Sequence, residues 1–318
     1  TIDKRYVQGA LVHRTRAMLR ADITPRLSLH AGLDHYALWA GHHPDEEDIP
    51  VNLGNYIKVV TGSHAGASGN MSDRINVIGD QGGGEVIVVE YRGDGWTIKA
   101  QHDIPYADGS GMGFQNFPDG INTLHFGYED KDRWISDLLY EHHYTMFQSG
   151  PFHEEIFDEE GHSLTPPGAC TTGVDNYFNN GYYRSGWTHF GHAIGDPLCF
   201  PAGTRDRTWT SKGITLGFES NRYKAHHFGM SGKLWRRHPY KLMLTCSKSY
   251  GTYFEPYEGQ SQLYHQWGTV KETGLSQLSA AFTGVLVTRG KGLSGLYGLF
   301  FDHGELLPDN FGVSLGIR

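Results

Sequence analysis

The sequence predicts an all-β fold: an antiparallel transmembrane β-barrel of the bacterial outer-membrane type, read as one domain over residues 1–318. Three observations carry that expectation. Apolar and polar residues alternate with a period of two over runs of about fifteen residues, where ordinary strands have five or six. The connections between runs alternate short and long, as in outer-membrane barrels. And 43 glycines accompany 18 tyrosines, 16 phenylalanines and 7 tryptophans, leaving few Gly- and Pro-free windows for helices.

The first run holds Leu11, Thr15, Ala17, Leu19 and Ala21 on one face, with Arg14, Arg16 and Arg20 opposite. After a turn at Asp22–Pro25, Leu27, Leu29, Ala31, Leu33, Ala37 and Trp39 share a face against Arg26, Ser28, His30, Gly32 and Asp34. Ile87, Val89 and Tyr91 lead through Arg92–Gly95 into Trp96, Ile98 and Ala100, opposite Thr97, Lys99 and Gln101. Leu124, Phe126 and Tyr128 lead through Glu129–Asp132 into Trp134, Leu138 and Tyr140, opposite Asp137, Glu141 and His143. Residues 214–231 pair with 239–250, and 275–288 with 294–302. Phe311, Val313, Leu315 and Ile317 close the series, which makes eleven strands.

Short turns fall near 22–25, 92–95, 129–132, 232–238 and 289–293. Longer segments fall at 41–84, 104–120, 146–213 and 251–274. Turns in the periplasm and loops outside the cell are the expected sidedness. Aromatics beside the turns (Tyr91, Trp96, Tyr128, Trp134, Tyr240) fit an interfacial girdle. A charge facing lipid near the midplane costs about 2–4 kcal/mol, so Arg14, Arg16, Arg20, Arg26, Asp137 and Glu141 are expected in the lumen, paired with opposite charges. With the last strand ending on the periplasmic side, an odd count leaves Thr1 outside. The expectation is therefore that strands are missing ahead of Thr1 and that the chain is the C-terminal part of a larger barrel.

Composition sets outer bounds. Mean hydropathy is −0.47 and no run of 18 apolar residues exists, which excludes a spanning helix but not spanning strands. A formal charge of −8 argues against nucleic acid as a partner. Three cysteines form no framework, although Cys170 and Cys199, on either side of the 175–198 stretch, could pair. Adjacent strand residues point to opposite faces, so neither His142–His143 nor His226–His227 makes a two-ligand metal site alone. The loop pair His42–His43 lies beside Asp45, Glu46, Glu47 and Asp48, read here as a solvated face rather than a cation site. Neither a metal nor a cofactor is expected. No G-x-S-x-G elbow occurs, and the chain is expected not to be an enzyme.

The longest connection, 146–213, is expected to be an extracellular or plug loop. Tyr177, Phe178, Tyr182, Tyr183, Trp187 and Phe190 make it too aromatic to be simply disordered. Its aromatic faces could stack on sugar rings while its amides, arginine and histidine bond sugar hydroxyls or acidic groups. Tyr177, Asn179, Asn180, Tyr182, Tyr183, Arg184, Trp187 and His189 are the candidate polysaccharide-binding residues. The opposing reading packs the same aromatics inside the barrel as a lid.

Five blocks in order, YADGSGMGFQNFPDG (106–120), LLYEHHYTMFQSGP (138–151), DNYFNNGYYRSGWTHFGHAIGDPL (175–198), NRYKAHHFGMSG (221–232) and SYGTYFEPY (249–257), resemble the Wzi-type capsule assembly family of outer-membrane proteins, in its bacteroidal branch. The resemblance implies a barrel of about eighteen strands in the outer membrane, non-catalytic, that assembles or attaches capsule or other surface polysaccharide. Its implied partners are outer-membrane lipid, polysaccharide and other outer-membrane proteins. About seven N-terminal strands of the family pattern have no counterpart here. The alternatives are a porin-like channel or accessory barrel subunit, and a barrel hydrolase.

Overall fold

The computed structural model describes residues 5–64, 77–107, 113–152, 173–204, 210–211, 214–215, 217–263, 265–287 and 292–318. Eleven strands form one sheet: β1 (Leu11–Asp22), β2 (Leu27–Trp39), β3 (Asp80–Arg92), β4 (Trp96–Tyr106), β5 (Gly120–Tyr128), β6 (Asp137–Tyr144), β7 (Tyr223–Leu234), β8 (His238–Ser249), β9 (Leu275–Val287), β10 (Ser294–Gly304) and β11 (Asn310–Ile317). Each pairs antiparallel with the next in chain order, and β1 and β11 lie at the two edges.

Continuous register gives the sheet two faces. Leu29, Ile87, Leu124, Phe228, Leu242, Leu299 and Val313 stand on one, and all are exposed. The other face is polar and internally paired. Arg14 holds Asp34 at 2.8 Å, Arg20 bonds Asp22 and Ser28, and Lys99 and Arg92 both reach the buried Glu90. On the same face Asp137 takes Lys131 at 2.6 Å, while Thr123 donates to Glu141. Arg26 belongs to the turn before β2 and pairs with Asp94 of the neighbouring turn. Arg16 stands opposite Asp34 in register.

Two local features differ from the sequence expectation. Within 41–84 a helix, α1 (Leu53–Thr61), forms between an Asn52 cap, whose side chain accepts the Asn55 N–H, and Gly62 in the left-handed region. Its nine residues are too few for a sustained helical period to show against the flanking polar loop. Tyr56 and Val59 pack it on the loop end of the apolar face, over His13, Ala37 and Trp39. That lid explains why His13, His35 and Gln81 are buried on this face, with His35 bonded to Gln81 at 3.0 Å. The helix leaves Leu53, Tyr56, Ile57 and Val60 exposed in an i, i+3, i+4, i+7 stripe.

The second difference is the start of β7, expected at residue 214 and found at Tyr223. Phe218–Ser220 instead pairs with Phe200–Pro201, and Arg222 turns into a buried ion pair.

Glycines make the sheet tight where β2 meets β3. The Tyr36 ring lies over Gly82, and a Cβ on Gly83 would come 2.0 Å from the Asp34 carbonyl and 2.3 Å from the Tyr106 hydroxyl. Gly83→Val is expected to destabilise the fold by about 1–3 kcal/mol through overpacking. Denaturant unfolding of the variant measures this; an unchanged midpoint would contradict the close approach.

Candidate functional site

The described part of the longest connection folds back over the loop end of the sheet's polar face. One apolar cluster joins Leu38 of β2, Tyr182, Tyr183, Trp187, Cys199 and Phe218 of the connection, and Tyr223 and Ala225 of β7. Strands β2 and β7 are five places apart in the sheet, so the connection bridges a broad arc of it. Trp187 meets Tyr36 edge-on, with ring centroids 4.7 Å apart. Near-absence of repeat in this segment follows: its residues answer to many partners rather than to one ladder.

Beneath this cap is a buried polar hub. Asp119, at the entry to β5, accepts the backbone N–H groups of Phe147 and Gln148 and the Tyr177 hydroxyl at 2.7, 2.8 and 2.9 Å. Burial pushes its carboxyl up to about 7, against the pull of those three donors and of Arg222. Asn221 donates to the Asn176 side chain and the Tyr177 carbonyl. Arg222, wholly buried, forms a bidentate pair with Glu272 at 2.6 and 2.9 Å, donates to the Met146 carbonyl, and stacks on Tyr253 at 4.0 Å. Gln262 adds a bond to Glu272. Three connections, 113–119, 146–222 and 251–274, are thereby fastened at one point.

The candidate polysaccharide residues divide by environment. Tyr177, Tyr182, Tyr183 and Trp187 are buried, and their polar atoms are engaged: Tyr182 donates to the Glu47 carbonyl and Tyr183 to that of Ala40. Trp187 and Asn180 face the buried Asp80 carboxyl group. Asn179 exchanges bonds with the Phe218 backbone, and Asn180 caps the N–H groups of Tyr182 and Tyr183. Arg184 lies half-buried over the Tyr6 ring at 4.3 Å. His189 is exposed on a small ribbon, Thr188–His189 against His192–Ala193, beside exposed Phe190 and Ile194.

The acidic run is tied into the loop. Asp48 accepts from His42 and from the His43 N–H, and Asp45 accepts from Tyr6 at 2.6 Å. The His43 ring lies between Tyr6 and Tyr182. The strand doublets His142–His143 and His226–His227 divide between faces as expected, and then meet across β6 and β7. His142 lies 4.9 Å from His226 on the apolar face, and His143 lies 4.6 Å from His227 on the polar face. No three His, Cys, Asp or Glu side chains converge as a metal site among the described residues. Cys199 is a free, buried thiol, pushed up by burial and by Asp196; Cys170 lies outside the described residues. At the turn end, a cavity of about 660 Å³ is lined by Lys131, Asp137, Lys233, Lys241, Thr283 and Ser314.

Asp119, Asn221, Arg222 and Glu272 had no assigned role on the sequence. Asp119 and Arg222 sit in the PDG and NRY motifs, where a charge beside a turn residue at a strand start was the available signal. Comparison with protein-family models, with curated proteins and with solved structures gives no match for this chain.

Arg222→Met is expected to destabilise by about 3–5 kcal/mol, since it strands Glu272 in the interior, and the paired Met variant at both positions should recover most of the loss. Equal losses in single and double variants would refute the pairing. For Asp119, a folded-state value above the ordinary 3.8 means the folded protein holds the proton more tightly. Its stabilising contribution is full below about pH 4 and lost as pH rises through about 7. Amide exchange of residues 173–187 should quicken over that window in the wild type, beyond the intrinsic rise, and lose the extra slope in Asp119→Asn. An identical slope in both proteins would exclude Asp119 as the cause.

Proposed function

We propose that this chain is part of the wall of an outer-membrane β-barrel, and that its capped loop end retains surface or capsular polysaccharide without catalysing a reaction. The observation that carries the reading is the apolar face. Large side chains from β2 to β11 stand exposed on it while charges on the opposite face pair with one another. A strand face that exposes large apolar side chains along its length marks a surface meant to be covered, and lipid is the solvent that suits it. The exposed stripe of α1 supports this, because it continues the apolar face at the loop end as an interfacial helix does.

Glycan contact is assigned to the crest of the cap, His189, Phe190 and Arg184, with the buried tyrosines and Trp187 holding that crest in place. A cap packed across β2 and β7 favours a retaining surface over an open channel. His189→Ala with Phe190→Ala is expected to weaken polysaccharide retention about tenfold, the weight of one aromatic stacking contact. Retention of purified surface polysaccharide by detergent-solubilised protein checks this. Undiminished retention in a variant with unchanged circular dichroism would exclude the crest.

A further inference from the structure

Across β7 and β8, Lys224 stands directly opposite Lys248 on the apolar face. Like charges in direct cross-strand register destabilise a sheet unless something of opposite charge joins them. Among the described residues no ion pair reaches either lysine. The Lys224 ammonium lies 5.4 Å from the Tyr144 ring and 5.5 Å from the Tyr250 ring, which cushion it but leave its charge uncancelled. One register step toward the turn end, His226 and His142 form the ring pair already described. The Tyr140 hydroxyl meets His226 Nδ1 at 2.8 Å. Two steps down, the surface becomes Phe228 and Leu244, and it stays apolar to Leu242.

We propose that Lys224 and Lys248, with His142 and His226 beneath them, bind the phosphate group of an anionic lipid at the rim of the apolar face. The proposal rests on the membrane reading above and adds to it a named headgroup site. Position decides for lipid over glycan. The notch opens on the face that carries the apolar band, not on the capped polar face; its histidines lie about 7 Å and its lysines about 13 Å along the strand above Phe228, given a rise of about 3.3 Å per residue. A lipid whose chains lie along Phe228 and Leu242 brings its phosphate to that height. Two ammonium groups supply charge, and imidazole N–H groups supply directed donors. The tyrosine rings flank the site as aromatic residues do at a headgroup boundary.

The test uses the full chain in nanodiscs of phosphatidylcholine doped with phosphatidic acid, with co-purified lipid counted by mass spectrometry. The wild type is expected to enrich phosphatidic acid over phosphatidylcholine, and K224Q/K248Q to lose about 30-fold of that preference, the weight of two lysines at an anionic surface. A second variant, H142Q/H226Q, should reduce enrichment while keeping the lysines and the fold. Inorganic phosphate at millimolar concentration should leave the enrichment in place; its displacement of the lipid would show a free-phosphate site and overturn the proposal. Undiminished enrichment in K224Q/K248Q, or displacement of the lipid by an acidic oligosaccharide, would also overturn it. Carbonate-resistant insertion into the bilayer is scored separately. Its failure would remove the membrane reading, whereas insertion without phosphatidic acid preference would remove only this site.

Discussion

The antiparallel hydrogen-bond ladder is the constraint from which the rest of the structure follows. Because successive side chains point to opposite faces, one register assigns every residue of eleven strands to the apolar or the polar side. A slip of a single residue in β7 would carry Phe228 to the polar face and His227 to the apolar face, and would break the His143–His227 contact along with it. The pairing of Arg14 with Asp34, and of Lys131 with Asp137, is possible because the ladder has already put those charges on one surface. Pairing among them is what lets that surface carry charge at close quarters.

The cap depends on a second, smaller constraint. A connection that runs over the sheet must satisfy its own backbone and any charge it buries. Asp119 meets the backbone at 147–148, Asn221 meets that at 177, and Arg222 donates from both terminal nitrogens to Glu272 and from Nε to the Met146 carbonyl. With those groups satisfied, the tyrosines and Trp187 can close over the polar face as packing residues. The same aromatic composition that suits sugar stacking suits this burial equally well, since a Tyr or Trp offers a large apolar ring with one polar atom to bond. Burial of four of the candidate residues assigns those side chains to holding the cap, and leaves the exposed ribbon around His189 as its outward surface.

The apolar face is uneven in a way that bears on how it meets its surroundings. At the turn end Tyr91, Trp96, Phe126 and Tyr128 form a chain of ring contacts. At the loop end the boundary is made of imidazoles, lysines and a short helix instead.

Strand existence, strand order in the chain, turn positions and the face of nearly every strand residue were legible in the sequence, because a period of two needs only neighbouring residues to be visible. Arg14, Arg20, Asp137 and Glu141 appear on the face their spacing predicts, and the paired cross-strand histidines follow from the same parity once register is known. Three things were decided by tertiary structure alone. The helix at Leu53–Thr61 depends on two caps and on the surface of Trp39 and His13 beneath it. The displaced start of β7 depends on Glu272, fifty residues away, claiming Arg222. And the burial of Tyr182, Tyr183 and Trp187 depends on β2 and β7 lying close enough for one segment to touch both. Local alternation is a property of a chain with itself; burial and charge pairing at long range are properties of what the fold brings opposite, and no spacing along the chain encodes them.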